Sequence, residues 1–242
     1  MRIPRFYQDT KLTVGATISL DDSAVQHVAR VLRMKTGESI CLFNGDGHEY
    51  QGRLNSVEKR SVTVDIISIS SPARSSSLKI EIGQSISKGD RMDYAIQKST
   101  ELGMNSFTPL LSERGEVRLK ADRLLKKQQQ WQQLAISGCE QSLRTDIPNI
   151  NDPRPLNEWV QHCDAELKLV LHHHSATPLS ELTPPRSVAL LIGPEGGLSE
   201  AEVELAMNAG FKAVAFGPRV LRTETAPVVA QSILQYLWGD LN

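Results

Sequence analysis

No stretch of the sequence approaches the roughly 18 consecutive apolar residues that a membrane-spanning helix needs, so no membrane association is expected. The opening Met1-Arg2-Ile3-Pro4-Arg5 has no apolar signal core, so secretion is not expected either. Cysteine is scarce. Cys41, Cys139 and Cys163 are odd in number, far apart and without a Cys-x-x-Cys pair. That argues against a disulfide framework or a zinc site and for a reducing, cytoplasmic setting. The loop Gly193-Pro194-Glu195-Gly196-Gly197 lacks a following Gly-Lys-Ser/Thr and the long spacer of a P-loop, and it is not the Gly-x-Gly-x-x-Gly of dinucleotide folds. ATP and dinucleotides are disfavoured. No internal repeat is found, and a net charge of −1 gives no bulk attraction to polyanions.

The distribution of charge says more than its total. Residues 1–73 carry nine basic and eight acidic side chains, residues 74–144 twelve and eight, and residues 145–242 six and twelve. The first 144 residues are able to face RNA, although ordinary surface variation gives the same pattern.

Residues 1–71 read as a small β-barrel. Thr17 to Leu20 is a strand, and Asp21-Asp22-Ser23 caps a helix with Val25, Val28, Ala29 and Leu32 on one face. Two alternating runs, Ser39 to Phe43 and Glu49 to Leu54, flank Asn44-Gly45-Asp46-Gly47 as a hairpin, and Ser61 to Ile69 is a further strand. Arg2, Arg5, Arg30 and Arg33 are candidate phosphate ligands, since a guanidinium offers a planar fork to phosphate oxygens. Arg30 and Arg33, three apart, are expected on one helix face, where a simply solvated face is the alternative.

Residues 72–77, small and polar around Pro72, form the expected linker. Beyond them strands alternate with helices, which means an α/β domain over 78–242 with a largely parallel sheet. Strands are expected at Leu78 to Ile86, Phe107 to Leu111, Leu167 to Leu171, Ser187 to Ile192 and Ala213 to Phe216. Helices are expected from Asp90 to Leu102, from about Asp122 to Leu143, after the Ser199-Glu200-Ala201-Glu202 capping box, and from Thr225 to about Leu237. The last of these places Ala226, Val229, Ala230, Ile233 and Leu237 on one apolar stripe.

Two loops organise this domain: Ile192 to Leu198, and Phe216 to Thr225, about 25 residues further on. Each leaves an apolar strand and enters a helix, the place where open parallel sheets bind ligands with unpaired backbone N–H groups. Gly and Pro alone merely punctuate turns. With Glu195, Arg222 and Glu224 beside them, the loops point to one shared pocket.

Leu191-Ile192-Gly193-Pro194-Glu195-Gly196-Gly197-Leu198-Ser199 with Gly217-Pro218-Arg219-Val220-Leu221-Arg222-Thr223-Glu224-Thr225-Ala226 resembles the paired signature of the ribosomal-RNA uridine-N3 methyltransferase family. That family belongs to the SPOUT, or trefoil-knotted, class of S-adenosylmethionine (SAM) enzymes. Lys88 to Asp93, Gln97 to Gly103, Glu140 to Arg144, Arg5-Phe6 and His27 to Arg33 also fit, so the resemblance covers nearly the whole chain. It implies a PUA-like RNA-binding barrel, a methyltransferase domain with the knot at about 167–238, and a homodimer in which the last helix and Trp238 take part. It implies SAM as cofactor, held by Leu171, His172, Ile192, Gly193, Pro194, Glu195, Gly196, Gly197, Phe216, Gly217, Leu221 and Arg222. It further implies methylation of uridine N3 in 16S ribosomal RNA, on the assembled 30S particle.

At uracil N3 the nucleophile is a delocalised anion between two carbonyls. Arg222 is the candidate for stabilising it, and Glu224 or Glu195 for handling the proton or orienting the arginine. Helix capping is the other role open to Glu224. A paired uridine must first be unpaired, held through phosphates for which Lys88, Arg91 and Arg144 are candidates. Pairing of Arg91 with Asp93 or Glu101 is the alternative. In His172-His173-His174 adjacent side chains alternate faces, so all three cannot ligate one ion, and no metal is expected. Two other readings remain: a knotted methyltransferase acting elsewhere, such as a ribose 2′-hydroxyl, and a non-catalytic RNA-binding assembly factor.

Overall fold

The computed structural model describes residues 3–115, 121–172, 178–179 and 182–242. Packing divides the chain into two units, Met1–Ser75 with Cys139–Ile147, and Ser76–Gly138 with Pro148–Asn242. One boundary falls within the polar stretch expected as a linker. The return of Cys139–Ile147 to the first unit carries no compositional signal, because that crossing lies inside a continuous helix.

The first unit is a five-stranded sheet in the order β1-β3-β4-β5-β2, formed by β1 (Arg5–Tyr7), β2 (Thr17–Ser19), β3 (Ser39–Phe43), β4 (Glu49–Val57) and β5 (Val62–Ser70). Only β1 and β3 are parallel. Register shifts at Gln51/Gly52 and Leu54/Ser56 mark bulges, which bend a strand around a core of Ile40, Leu42, Leu54, Val62 and Val64. The helix expected to bury Leu32 is different. α1 (Asp22–Gln26) widens into a π turn over His27–Val31, with Leu32 N donating to His27 O at 2.8 Å. The wider turn leaves the 3.6-residue period, so Val25 and Val28 are buried and Leu32 is exposed.

The second unit is a parallel sheet in the order β12-β10-β11-β6-β7-β8, with β9 (Arg154–Pro155) also paired to β7. Its strands are β6 (Lys79–Ser85), β7 (Ser106–Leu111), β8 (Asn149–Ile150), β10 (Leu167–Leu171), β11 (Ser187–Ile192) and β12 (Lys212–Val214). α2 (Arg91–Glu101), α3 (Ala121–Ser142) and α6 (Thr225–Trp238) cover one face, around Ile80, Ile82, Leu190, Met92, Trp131 and Leu234. α4 (Leu156–Gln161) and α5 (Glu200–Asn208) cover the other, around Ala189, Leu191, Trp159 and Phe211. Alternate residues of β11 enter opposite cores, as the strand period requires. The capping box forms between Ser199 and Glu202. β8, β9 and α4 were not expected; two-residue strands and a six-residue helix are too short to show a period.

α6 departs from its expected stripe. Its buried face is Ala226, Pro227, Ala230, Gln231, Leu234 and Gln235, while Leu237 is exposed and Val229 and Ile233 are half-buried. Gln235 is accommodated because its Nε2 donates to Leu102 O, whereas Gln231 Nε2 turns back to Pro227 O of its own helix and its Oε1 is buried with no hydrogen-bond partner. Among the described residues no helix is long and apolar enough to cross a membrane.

Candidate active site

The C-terminal ends of β10, β11 and β12 open on the same side of the sheet and line a cavity of about 770 Å³. That is within the usual range for small-molecule and cofactor sites. Leu171 and His172 come from the end of β10, and Ile192 through Leu198 from the loop after β11. Phe216 through Glu224 come from the loop before α6. Every residue expected to hold the cofactor therefore lines one cavity, together with Arg222 and Glu224. Leu171, Ile192, Leu198, Val214, Phe216 and Leu221 supply apolar walls.

The loops have their shape for local reasons. Gly197 N donates to Pro194 O at 2.9 Å and Gly197 sits at φ +70°, which favours glycine. At Gly193 a side chain would meet Leu198 Cγ and N at 3.0 Å, so glycine lets the turn close without displacing Leu198. His172 N donates to Val214 O at 3.0 Å, tying the end of β10 to β12. His173 and His174 lie outside the described residues. Among those described, no group of three or more His, Cys, Asp or Glu side chains is arranged to hold a metal ion.

Arg91 lies at the rim. Its Nη1 is in close contact with Glu195 Oε1 and its Nε is 3.8 Å from Glu224 Oε2. Neither Asp93 nor Glu101 takes it: Asp93 accepts from Trp131 Nε1 at 2.9 Å, and Glu101 pairs with Lys98 at 2.7 Å. Lys88 N also donates to Glu195 Oε1, at 3.3 Å. Burial raises the Glu195 pKa, but hydrogen bonds from its own N–H, Arg91 and Lys88 outweigh it and hold the carboxyl below its ordinary value. Glu224 sits at the N-cap of α6 yet makes no capping bond, and its Oε2 is buried with no hydrogen-bond partner. Arg222 is exposed at the cavity, and its carbonyl accepts from Thr225 N and Ala226 N at 2.9 Å each.

Arg114 was not anticipated. It lines the cavity, and its Nη1 donates to Gly196 O and Leu198 O at 3.2 Å each. In the sequence it stands in an ordinary polar turn, and only the fold brings it 82 residues along the chain to Gly196.

The other basic candidates are placed differently. Arg2 lies outside the described residues. Arg5 is buried: its Nε pairs with Glu49 at 3.1 Å, its Nη1 donates to Cys139 O at 2.7 Å, Nη2 donates to Arg144 O, and its Cζ lies 3.6 Å from the Phe43 ring centre. Arg144 is also buried, with Nη2 2.5 Å from Asp146 Oδ2. Neither presents its guanidinium to a phosphate. Arg30 and Arg33 are exposed in the first unit but share no helix face, since Arg33 follows the π turn at φ +53°. The cysteines are buried, their thiols pushed up by burial to about 11 at Cys41 and about 12 at Cys139 and Cys163.

Known proteins share this fold. Residues 74–235 match the model of an RNA methyltransferase domain, and residues 20–67 that of an RNA methyltransferase PUA domain. Ribosomal RNA small subunit methyltransferase E of Buchnera aphidicola (subsp. Schizaphis graminum) is 36% identical over 100% of this chain and 99% of its own. The chain belongs to the ribosomal RNA small subunit methyltransferase E family. The family protein of Bacillus subtilis is 34% identical over 91% of this chain and 90% of its own. The crystal structure of the Neisseria gonorrhoeae methyltransferase E, bound to S-adenosyl methionine, is 40% identical, covers 100% of both chains and superposes with a TM-score of 0.94. A Legionella pneumophila protein solved with SAM bound is 42% identical, again over 100% of both chains, with a TM-score of 0.97. Family membership accounts for the α/β fold with its PUA-like N-terminal domain.

Proposed function

We propose that this protein transfers the methyl group of SAM to N3 of a uridine in 16S ribosomal RNA. The observation that carries the reading is the closing of both glycine- and proline-rich loops on one cavity with apolar walls. Its donor set suits SAM: turned backbone would hold the adenosyl group, and the three lining carboxylates, Glu195, Glu200 and Glu224, give the cavity the negative charge that a sulfonium cation would need. SAM supplies, when bound, an electrophilic methyl group and its own leaving group. The chain aligns the reactants, excludes water and handles one proton.

Glu224 takes the proton from N3. Glu195 is hydrogen-bonded by Arg91 and held below its ordinary pKa, whereas Glu224 Oε2 meets Arg91 only as an ion pair at 3.8 Å and has no hydrogen bond to break. Arg222, exposed at the cavity, stabilises the imide anion through O2 or O4. Lys88 and Arg91 at the start of α2, with Arg30 and Arg33 in the PUA-like unit, hold phosphates of the substrate. Arg5 and Arg144 are withdrawn from that role.

The substrate is the 30S subunit, and the enzyme acts in the cytoplasm as a homodimer whose 167–238 region is knotted. The dimer is supported by the outer side of the last helix and the residues after it, where Tyr236 is 62%, Leu237 41% and Leu241 49% exposed. The reaction is tested by tritium transfer from labelled SAM to small subunits and to naked ribosomal RNA from cells lacking the gene. N3-methyluridine in the digest, with the subunit preferred, is expected. Label in a 2′-O-methylated nucleoside overturns the target, and RNA binding without label overturns the activity.

A further inference from the structure

Thr223 lies between Arg222 and Glu224 and lines the cavity with them, yet its side chain is buried. Its hydroxyl donates to Gly193 O at 3.0 Å, which joins the loop before α6 to the loop after β11. A hydroxyl has one hydrogen and two lone pairs, and here both kinds of capacity are engaged. Gln84 Nε2 donates to Thr223 Oγ1 at 3.3 Å and to Thr223 O at 3.2 Å, and Ser87 Oγ lies 3.4 Å from Thr223 Oγ1. Gln84 is fully buried and stands opposite Ile192 in the pairing of β6 with β11, at the centre of the sheet. Burying an amide there costs free energy, and its Oε1 has no hydrogen-bond partner. A side chain filling space alone would be apolar. The bonds to Thr223 are what this glutamine contributes.

We propose that Thr223, held by Gln84, is the positioning residue that locks the two loops together and fixes where Arg222 and Glu224 stand. The inference rests on the reading of this cavity as the SAM site. Without the hydroxyl, the Gly193 carbonyl and the 222–224 segment move independently. Cofactor affinity and the chemical step then suffer together.

The test compares the full-length protein with Thr223→Val, Thr223→Ser and Gln84→Met, by calorimetric SAM titration and by single-turnover methyl transfer at saturating SAM and RNA. Valine keeps the branched shape and removes the hydroxyl. Thr223→Val is expected to weaken SAM binding about tenfold and slow transfer at saturation by a similar factor, Thr223→Ser to restore both to within about threefold, and Gln84→Met to act in the same direction less strongly. Wild-type affinity and rate in Thr223→Val overturn the proposal. So does a serine variant as impaired as the valine one, since the hydroxyl would then not be the cause. Should Thr223→Val fail to fold, wild-type affinity and rate in a folded Gln84→Met overturn it equally. If the wild type itself binds no SAM, the reading of the cavity fails first, and that result is distinct from a wild type that binds beside an unaffected valine variant.

Discussion

Arg5 with Glu49 and Arg91 with Glu195 are the same chemical pair in opposite surroundings. The first pair has side chains 4% and 10% exposed, the second 42% and 31%. Around Arg5 the protein supplies two backbone carbonyls, an aromatic face and, through Arg74, a second cation on Glu49 at 2.6 Å. A charge withdrawn from water needs such partners, and even with them burial lowers the Arg5 pKa. Arg91 has fewer partners, and they are the carboxylates of the two cavity loops. The buried pair holds Cys139–Ile147 to its unit; the exposed pair holds a loop beside the chemistry.

That contrast can be broken from the buried side first. Glu49→Ala leaves Arg5 without its anion and is expected to cost roughly 3–5 kcal/mol in chemical denaturation, without selective loss of SAM affinity in the folded fraction. A cost below about 1 kcal/mol would place Arg5 among ordinary surface pairs. Asp146 sharpens it. Burial raises the Asp146 pKa, but the hydrogen bonds and charge of Arg144 outweigh that and lower it. A lowered carboxylate contributes stability that is present above its unfolded pKa of about 3.9 and is lost as pH falls through the folded value. Asp146→Asn is therefore expected to destabilise by about 1 kcal/mol at neutral pH and to flatten the acid limb of a melting-temperature profile. An unchanged acid limb would contradict the pairing. The smallest effect on stability is expected at Arg91. Arg91→Ala shifts the unfolding free energy by less than about 1 kcal/mol, while SAM titration shows weaker binding because Glu195 is released. Equal losses in both would make it a structural pair like the first.

The two pairs also mark what the sequence makes legible. The loops at 192–198 and 216–225 were readable because Gly, Pro and charged residues cluster where apolar strands end, and such local punctuation survives folding. The roles of Arg5 and Arg144 were not. Burial of Arg5 depends on Glu49, 44 residues away, and on carbonyls 134 and 139 residues away, and no window of sequence contains them. Arg114, Thr223 and Gln84 escaped for the same reason. The stripe of α6 was misplaced because Gln231 and Gln235 look polar on a helical wheel, while the fold buries both, Gln235 against Leu102 O and Gln231 against Pro227 O of its own helix. At Leu32 one π turn shifted the period, and periodicity assumes its absence.

The most direct test of the cavity is a calorimetric SAM titration of Gly196→Val beside the wild type. An added Cβ at Gly196 would meet only Arg114 carbons, at 3.7 and 3.9 Å, so the loop has room for it, and the two methyl groups beyond it add bulk at a residue that lines the cavity. Lost SAM binding with an unchanged melting temperature in the absence of cofactor is the expected result. Full-strength binding by Gly196→Val would contradict the placement of SAM between these two loops.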